Sequence, residues 1–425
     1  MNESDAERLA SVLEKLDFKP ANSENEADLI ITLACSVRQK AVDRIWGKLR
    51  IWQKIKEKRP LITLLSGCIL PKDKKKFAEY FDLVLDIKEI SQSPKKLLDY
   101  LNSESGLKIA DYFKIHPKYQ TRFFAYVPIM TGCNNFCTYC AVPYTRGGEK
   151  SRPKKEIIEE IKNLIQNGYK SITLLGQNVN SYGQDLEAKP RIQSFKLEEP
   201  VNKHFIDLLI EINKIPGNFW FYFITNHPKD MSKELIENLP KLEKFGHYIH
   251  LPLQSGDNRI LKKMNRHYTS LKYLKLVEEI KRALPDVNLS TDIIVGFPGE
   301  TEKQFKNTAK IIEKVKYDMA YLNQYSPRPG TAASKLKDNV KKPIKRKREQ
   351  IINEILKKTA EANNKKLVGS IQEVLVEQFK NGFNFGHTKN FKNIRFKFNV
   401  DFTGELVKVK VTNVTPWALE GEIIR

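Results

Sequence analysis

Residues 130–140 read MTGCNNFCTYC, which places three cysteines within eight positions of a 425-residue chain that holds only five. Cys133, Cys137 and Cys140 follow the spacing CxxxCxxC. An odd number of unevenly clustered thiols indicates metal binding or catalysis rather than disulfides. The spacing fits a 4Fe–4S cluster with three protein ligands, which leaves one iron open to a small molecule. A zinc site fits less well, because zinc usually takes a second pair of ligands and no fourth cysteine lies nearby.

The loop lies within a regular alternation of strand-like and helix-like segments. The apolar segment 123–130 leads into the cysteines, and 156–168 has the apolar spacing of a helix. Further strand-like segments, mostly separated by helices, are 171–176, 219–225, 248–253, 289–296 and 320–326. Six βα repeats predict a full or partial TIM-type barrel, with its chemistry at the carboxyl ends of the strands.

The first hundred residues show the same alternation. Helical patterns cover 2–16 and 42–58, and strand-like segments cover 27–34, 60–67 and 82–86. This order predicts a βαβ domain with a parallel sheet. Cys35 directly follows the first of these strands and Cys68 the second. Because the carboxyl ends of parallel strands gather at one edge of a sheet, we expect the two cysteines to be neighbours in space.

From about residue 364 the pattern changes to short alternating strands separated by turn residues, which predicts a small all-β barrel. A strongly basic helix at 343–363 precedes it, and the polar stretch 183–203 is typical of a surface loop. We therefore expect an α/β protein of three domains. They are an N-terminal βαβ parallel-sheet domain at 1–110, a TIM-type barrel at 120–360 and the all-β barrel at 364–425.

Lysine and arginine number 73 against 51 aspartate and glutamate, a net charge of +22. This excess favours a polyanionic partner, with nucleic acid ahead of an anionic membrane, although a lysine-rich surface kept for solubility would also produce it. No apolar run approaches the roughly 18–20 residues of a membrane span. The first residues lack the basic-then-apolar plan of a signal peptide. The sequence therefore predicts a cytoplasmic protein with no membrane partner.

A three-cysteine loop after the first strand of a βα barrel resembles the radical S-adenosylmethionine (SAM) superfamily. The resemblance implies that SAM chelates the open iron through its amino and carboxylate groups. It also implies that the reduced cluster cleaves SAM to a 5′-deoxyadenosyl radical. LLGQN (174–178) and STDIIVGFPGET (290–301) then stand where SAM binds, although GFPGE alone is also a common glycine turn before a helix cap. The residues that match SAM-contacting positions are Tyr139, Gly176, Gln177, Asn178, Gln254, Asp292 and Gly296.

Longer motifs narrow the resemblance. NESDAERL, GCILP, PYTRGGEKSRP, LLGQNVNSYG and YSPRPGTAA run in the order of the methylthiotransferase family and extend over nearly the whole chain. LLGQNVNSYG is similar to the MiaB type, which acts on tRNA rather than on a ribosomal protein. The C-terminal barrel, with GHTKNFKNIRF and PWALEGE, resembles a TRAM domain, an RNA-binding module. The resemblance implies methylthiolation of C2 of N6-isopentenyladenosine next to the tRNA anticodon.

The same resemblance implies a second, auxiliary 4Fe–4S cluster that supplies sulfur. Cys35 and Cys68 match two of its three ligands, and two buried apolar cysteines are the alternative. NESDAERL matches the family segment just after its first cysteine. The hypothesis is that the sequence starts too late, so that a strand of roughly 5–6 residues and a third cysteine ligand lie upstream of Met1.

On this resemblance the basic excess would serve RNA binding. Proteins read single-stranded loops by splaying bases out while cationic groups hold the backbone. The candidate RNA-contacting residues are Arg146, Lys345, Arg346 and Arg348. For the three residues of the basic helix, a solvated helix face fits as well. Arg146, close in sequence to the cysteine loop, could instead orient substrate or cofactor or form an ordinary loop salt bridge. The expected partners are a tRNA anticodon stem-loop and a flavodoxin-like or ferredoxin-like electron donor, with the enzyme as a monomer.

Two other functions stay open at this point. The nearest enzyme is a methylthiotransferase for another modified adenosine, such as the threonylcarbamoyl form, although GQNVNSYG speaks against it. From a different class, an RNA-binding protein could keep a degenerate, non-catalytic cluster. Cleavage of SAM on reduction of the reconstituted protein would distinguish the enzymes from the binding protein.

Overall fold

The computed structural model describes residues 1–35, 39–87, 89, 97, 112–186 and 202–424. These residues form two compact units, which are treated separately below. The cysteine unit comprises Met1–Gln120, Thr131–Lys150 and Ser326–Leu336. The barrel unit comprises Thr121–Met130, Ser151–Tyr325 and Lys337–Arg425. The sequence also predicts a linker near 105–122, and its first part, 105–111, falls outside the described residues, as does most of the predicted surface loop at 183–203.

The cysteine unit begins with the predicted parallel βαβ arrangement. Its elements are α1 (Asn2–Glu14), β1 (Leu29–Cys35), α2 (Gln39–Lys56), β2 (Ile62–Cys68), α3 (Pro71–Phe77) and β3 (Leu83–Val84). The three strands are parallel in the order β1-β2-β3. The third strand is shorter than the predicted 82–86, because only two of its residues pair with β2.

Helix α2 forms where the sequence repeats apolar side chains every three or four residues, so that one face can be buried. Ile45, Leu49 and Trp52 are buried in one cluster with Leu65 of β2 and with Phe77. This cluster covers one face of the sheet. On α1, the Asn2 side-chain amide donates to the carbonyl oxygens of Leu33 and Ala34 at 3.3 Å each, which ties the start of α1 to the end of β1.

The cysteine loop is bracketed by short strands. β4 (Phe124–Pro128) and β5 (Met130–Thr131) precede it, α4 (Val142–Thr145) lies within it, and β6 (Lys150–Ser151) ends it. The predicted strand 123–130 is therefore divided in two near Ile129. The Ile129 amide donates to the Leu175 carbonyl oxygen at 2.9 Å, so the extended chain stays attached to the next strand.

Within its described residues, the barrel unit has six parallel strands that belong to the predicted TIM-type barrel. After β4 they are β7 (Ser171–Leu175), β8 (Trp220–Phe223), β9 (Tyr248–His250), β10 (Asn288–Val295) and β11 (Met319–Gln324). They form two three-stranded sheets, β4-β7-β8 and β9-β10-β11, and a parallel bridge between Phe221 and Phe245 links the two. Parallel strands in chain order with helical crossovers are the arrangement of a partial TIM-type barrel, as the alternation predicts.

Helices of the barrel unit separate most of these strands. They are α5 (Lys154–Gln166), α6 (Lys203–Lys214), α7 (Lys233–Asn238), α8 (Asn258–Lys263), α9 (Ser270–Ala283), α10 (Glu302–Val315) and α11 (Lys342–Lys365). Helix α10 starts with a capping box in which the Thr301 hydroxyl accepts from the Gln304 amide and the Gln304 side chain accepts from the Thr301 amide. The cap fixes the helix directly after the glycine turn of GFPGE.

The C-terminal strands close into the predicted small barrel. They are β12 (Ile371–Lys380), β13 (Phe383–Thr388), β14 (Asn393–Lys397), β15 (Leu406–Val414) and β16 (Leu419–Ile423), in the order β12-β13-β14-β16-β15. Alternate residues such as Val374, Val376, Val409 and Val411 point into its core. Among the described residues, no helix is long and apolar enough to cross a membrane.

Candidate iron–sulfur and cofactor sites

The cysteine loop folds back onto its own return segment. Gly132 has a φ of +82°, and a side chain there would collide with the Gly148 carbonyl oxygen. The Cys133 amide donates to the Gly147 carbonyl oxygen at 3.1 Å. Only glycine adopts this φ without strain while allowing so close a backbone approach. The loop therefore holds its first cysteine in place through backbone contacts.

The three thiols of this loop are shielded from solvent to different degrees. Cys133 and Cys137 are buried and Cys140 is half-buried. The Cys140 backbone amide donates to the Cys137 carbonyl oxygen at 2.9 Å, and the Asn135 side-chain Nδ2 donates to the Cys133 sulfur at 3.5 Å. Burial raises the pKa of the Cys133 thiol to about 11. A thiolate at this position needs a cation beside it, and bound iron would provide one.

The arrangement of donors argues against a single-ion site. All five cysteines lie within the described residues, and none forms a disulfide. In that part of the chain, no three His, Cys, Asp or Glu side chains stand together as ligands of one metal ion. A 4Fe–4S cluster spreads its thiolates over different irons, so its ligands need not converge on one point. The loop fits the cluster better than it fits zinc.

Cys35 and Cys68 lie directly opposite each other. They are the last register pair of the parallel strands β1 and β2, in agreement with the prediction that they are neighbours in space. Gly67 has a φ of +110°, and a side chain there would collide with the Ala34 backbone. The strand ends therefore approach closely just before the two sulfurs. That these sulfurs ligate a cluster stays a prediction.

Arg146 lies against this pair and not on the surface. The residue is 8% exposed, and its Nε donates to the Cys68 sulfur at 3.0 Å. Its terminal nitrogen donates to Asp5 Oδ2 at 2.7 Å. Burial alone would lower the pKa of Arg146, but the Asp5 carboxylate and Cys68 raise it above its ordinary value. Contact with RNA phosphates does not match this position, because the guanidinium is buried and already holds two partners.

A second buried arginine lies near the other cysteine of the pair. Burial lowers the pKa of Arg328, while Asp73, Cys35 and Asp43 stand close enough to oppose that effect. Sequence reasoning did not select Arg328 or Asp5 as site residues. Each belongs to a motif that carries the family resemblance, YSPRPGTAA and NESDAERL respectively, and that membership was the available signal.

In the barrel unit, the first SAM candidates follow β7. Gly176 comes directly after this strand, and a side chain there would stand 2.7 Å from the Met130 Cγ. Gln177 is half-buried. Asn178 is buried, and its side-chain amide donates to Asp230 Oδ2 at 2.8 Å. The remaining candidate of the cysteine unit, Tyr139, is half-buried.

The other SAM candidates lie at the ends of β9 and β10. Gln254 has a φ of +67°, and its amide donates to the Asp292 carbonyl oxygen at 2.8 Å. The Asp292 carboxylate lies 3.0 Å from His250 Nε2. Gly296 has a φ of +72°, and a side chain there would collide with Lys345. The structure thus brings Gln254 and Asp292 together at neighbouring strands.

Three buried side-chain oxygens near these strand ends have no hydrogen-bond partner in the described part of the chain. They are Asn178 Oδ1 after β7, Asn226 Oδ1 after β8 and Gln254 Oε1 after β9. A buried acceptor without a partner costs free energy, so such atoms indicate where a polar ligand binds. The carboxyl edge of the barrel therefore fits a ligand that carries hydrogen-bond donors. Asn226 is the member of this set that sequence reasoning did not choose.

Two of the remaining RNA candidates are also buried. Lys345 Nζ lies 2.7 Å from Asp338 Oδ2 and 2.8 Å from the Tyr325 carbonyl oxygen. Arg348 donates to Glu300 Oε2 at 2.8 Å. Their prediction as phosphate contacts does not match the structure, because a side chain that grips RNA must reach solvent. Arg346 is exposed, and its contact with RNA stays a prediction.

A partial barrel of parallel strands, with a CxxxCxxC loop after its first strand, defines the radical SAM class of enzymes. The sequence model of the Radical SAM superfamily matches residues 127–312. Two further models match, Uncharacterized protein family UPF0004 at residues 1–86 and the TRAM domain at residues 365–424. The fold is similar to that of the radical S-adenosylmethionine methyltransferase TsrM from Kitasatospora setae. That match has a TM-score of 0.52 and 12% identity, and it covers 77% of this chain and 66% of that one.

Relatives of full length are much closer in sequence. The tRNA-2-methylthio-N(6)-dimethylallyladenosine synthase of Clostridium botulinum is 42% identical, with 100% of this chain and 95% of the relative covered. The enzyme of the same name from Carboxydothermus hydrogenoformans is 39% identical, with 100% and 97% covered. The chain therefore belongs to the family of tRNA-2-methylthio-N(6)-dimethylallyladenosine synthases.

Proposed function

We propose that the chain is a radical-SAM tRNA methylthiotransferase that acts on C2 of N6-isopentenyladenosine, adjacent to the anticodon. Its full-length relatives bear the corresponding name. The observation that carries the proposal is that one unit holds two separate sets of cysteines, Cys133, Cys137 and Cys140 in a loop and Cys35 with Cys68 at a sheet edge. Radical formation needs one cluster, whereas methylthiolation also needs a source of sulfur.

The cofactors of this reaction are SAM and two 4Fe–4S clusters. With SAM bound, the cluster at Cys133, Cys137 and Cys140 would supply the electron that cleaves it, and the cluster at Cys35 and Cys68 would supply sulfur. The target explains why such cofactors are needed. C2 of adenine carries an unactivated C–H bond that no side-chain base deprotonates at a useful rate.

The chain's own residues bind and orient SAM. We assign this role to Tyr139, Gly176, Gln177, Asn178, Gln254, Asp292 and Gly296. The side-chain oxygens of Asn178 and Gln254, which have no hydrogen-bond partner among the described residues, support it. The methionyl ammonium group of SAM donates hydrogen bonds that amide oxygens accept. Gly176 and Gly296 directly follow β7 and β10, so they lie at the carboxyl ends of barrel strands, as these two oxygens do.

The C-terminal barrel and the charge of the chain support tRNA as the partner. The TRAM match and the net charge of +22 both point to RNA. Arg346, exposed on α11, is the cation that we assign to the phosphates. A flavodoxin-like or ferredoxin-like electron donor completes the set of partners. We place the enzyme in the cytoplasm as a monomer, with domains at 1–110, 120–360 and 364–425.

The test is mass spectrometry of nucleosides. The full chain is reconstituted anaerobically with iron and sulfide, then incubated with SAM, dithionite and tRNA that carries N6-isopentenyladenosine. We expect the 2-methylthio nucleoside from the wild type and none from Cys133→Ala. Parallel reactions contain tRNA with threonylcarbamoyladenosine. A 2-methylthio nucleoside formed only from that tRNA would favour threonylcarbamoyladenosine as the substrate. A cluster-loaded chain that neither cleaves SAM nor modifies either tRNA would favour a non-catalytic RNA-binding protein.

A further inference from the structure

Arg146 joins the sheet edge that bears Cys68 to the segment that follows the cysteine loop. It is the C-cap residue of α4, directly after Thr145 and six positions after Cys140. Its Nε donates to the Cys68 sulfur at 3.0 Å. A second nitrogen of the same guanidinium donates to Asp5 Oδ2 at 2.7 Å and to Asn2 Oδ1 at 3.4 Å. All of these groups lie in the cysteine unit.

The guanidinium is held firmly in this orientation. Asp5 has no solvent exposure, and its other oxygen accepts from the Tyr112 hydroxyl at 2.6 Å. The carboxylate balances the charge that burial of Arg146 would otherwise leave uncompensated. Because the guanidinium is planar and Asp5 holds one of its terminal nitrogens, the Nε–H cannot turn away and points at the Cys68 sulfur. A lysine ammonium could not keep both contacts in this geometry.

An N–H donated to a cluster-ligating sulfur has a known physical effect. It withdraws electron density from the thiolate, so the reduced and more negative state of the cluster becomes easier to reach. The effect is large when the donor carries a full charge and water is excluded. Both conditions hold here, since Arg146 and Cys68 are each buried. Residues that only pack around the site would leave the electron density of the sulfur unchanged.

We propose that Arg146 is a positioning residue for the auxiliary cluster, and that it raises the reduction potential of this cluster by donating to the Cys68 sulfur. The inference rests on the proposed function, because it takes Cys35 and Cys68 as cluster ligands. It replaces the expected role of Arg146 in RNA binding. It also makes the segment after the radical-cluster loop part of the environment of the second cluster.

The test isolates the auxiliary cluster in the full chain. Cys133, Cys137 and Cys140 are all changed to alanine, so that iron and sulfide can be loaded only at Cys35 and Cys68. The midpoint potential is then measured by a dithionite titration followed by electron paramagnetic resonance. We expect Arg146→Gln to shift the reduction equilibrium toward the oxidised cluster about tenfold, a fall of about 59 mV for a one-electron couple. Arg146→Lys should recover part of the shift.

Two further variants separate an electronic effect from a loss of packing. Asp5→Asn removes a buried negative charge and leaves the donor in place, so it should raise the potential, opposite in sign to Arg146→Gln. Arg152→Gln is the matched control. Arg152 is also a buried arginine with carboxylate partners, Glu156 and Glu160, and within the described residues its side chain makes no hydrogen bond to a cysteine. It should leave the potential unchanged. If circular dichroism shows that Arg146→Gln does not fold, the test rests on the signs of the potential shifts in Arg146→Lys and Asp5→Asn.

The outcomes distinguish this inference from the function on which it rests. A loaded auxiliary cluster whose potential is the same in wild type, Arg146→Lys and Arg146→Gln overturns the role of Arg146 and leaves the function standing. Shifts of equal sign in Arg146→Gln and Asp5→Asn also overturn it, because loss of packing would then be the common cause. If the variant without the three loop cysteines binds no iron at all, the assignment of Cys35 and Cys68 as cluster ligands is wrong. The proposed source of sulfur is then wrong as well.

Discussion

The two sets of cysteines are assembled in opposite ways. Cys133, Cys137 and Cys140 lie within one loop, and backbone contacts of that loop hold them. Cys35 and Cys68 meet only because β1 and β2 pair in parallel and end at the same register position. Contacts within the loop fix the positions of the first set, whereas the pairing of β1 with β2 fixes the positions of Cys35 and Cys68. Changes in the sheet should therefore damage the second set and spare the first.

The largest expected effect is on the loop. Cys133→Ala removes one of three protein ligands, and the loop holds no other cysteine to replace it. We expect 5′-deoxyadenosine formation from SAM to fall to the level without enzyme, as measured by chromatography after reduction with dithionite. Cys35→Ala is the control, with SAM cleavage retained. Undiminished cleavage by Cys133→Ala would mean that the loop does not hold the radical cluster.

Changing the pair should separate two activities that the loop variant loses together. Cys68→Ala leaves the CxxxCxxC loop intact but removes the sulfur that faces Arg146. We expect this variant to cleave SAM and to form no methylthio nucleoside. Both products are measured in the same reaction. Methylthiolation at the normal rate by Cys68→Ala would show that the sheet-edge cysteines are not the sulfur site.

The contrast also explains what the sequence could predict. The loop cysteines share one short segment, so their spacing alone indicates a cluster. The proximity of Cys35 to Cys68 follows from the βαβ order of the elements and from the rule that the carboxyl ends of parallel strands lie at one edge of a sheet. The closed C-terminal barrel and the six barrel strands follow from periodicity in the same way. In each case the decisive information is local, or it is imposed by general topology.

Arg146 and Asp5 mark the limit of that reasoning. Their contact joins residues far apart in the chain, and no periodicity specifies which arginine turns inward. Lys345 and Arg348 show the same limit, because the basic pattern of α11 resembles a solvated face. The structure buries these two cations opposite Asp338 and Glu300. Charge composition predicts a polyanionic partner for the whole chain, but it does not identify the residues that reach it.

A glycine substitution at the sheet edge tests the dependence of the pair on its sheet. Gly67 has a φ of +110° and lies against the Ala34 backbone, so Gly67→Ala should separate the ends of β1 and β2. Strain of this kind costs about 1–3 kcal/mol. We expect a lower midpoint temperature and less iron at Cys35 and Cys68, with normal SAM cleavage by the loop cluster. Iron analysis in the background without loop cysteines measures the loss.

Gly47 provides the matched control for this substitution. It lies in the middle of α2, and a side chain there meets no atom within 4 Å. Gly47→Ala should therefore stabilise the chain by about 0.5–1 kcal/mol, because alanine favours the helix over glycine. Equal iron content in Gly67→Ala and Gly47→Ala would contradict the claim that the pair depends on the closure of the strand ends.

Buried arginines extend the comparison from the cysteine unit to the barrel unit. Arg146 faces a sulfur and a carboxylate, whereas Arg348 faces the carboxylates of Glu300 and Glu302. Arg348 and Glu300 lie beside the glycine turn, where the Gly296 amide donates to Glu300 Oε2 at 2.7 Å. A change in the protonation of Glu300 should therefore alter the free energy of unfolding of the chain rather than a reduction potential.

The last expected effect is a pH dependence of the stability at Glu300. Burial raises the pKa of this carboxyl to about 6 from an ordinary 4.5, with Gly296 and Arg348 opposing the shift. The folded state thus binds the proton more tightly than the unfolded state. The resulting stability is complete below about pH 4.5 and is lost as pH rises through about 6, a change of about 2 kcal/mol at most. We expect the midpoint temperature of cluster-free wild type to fall across this range relative to Glu300→Gln, in which no proton is exchanged. Parallel profiles for the two proteins would contradict a raised pKa at Glu300.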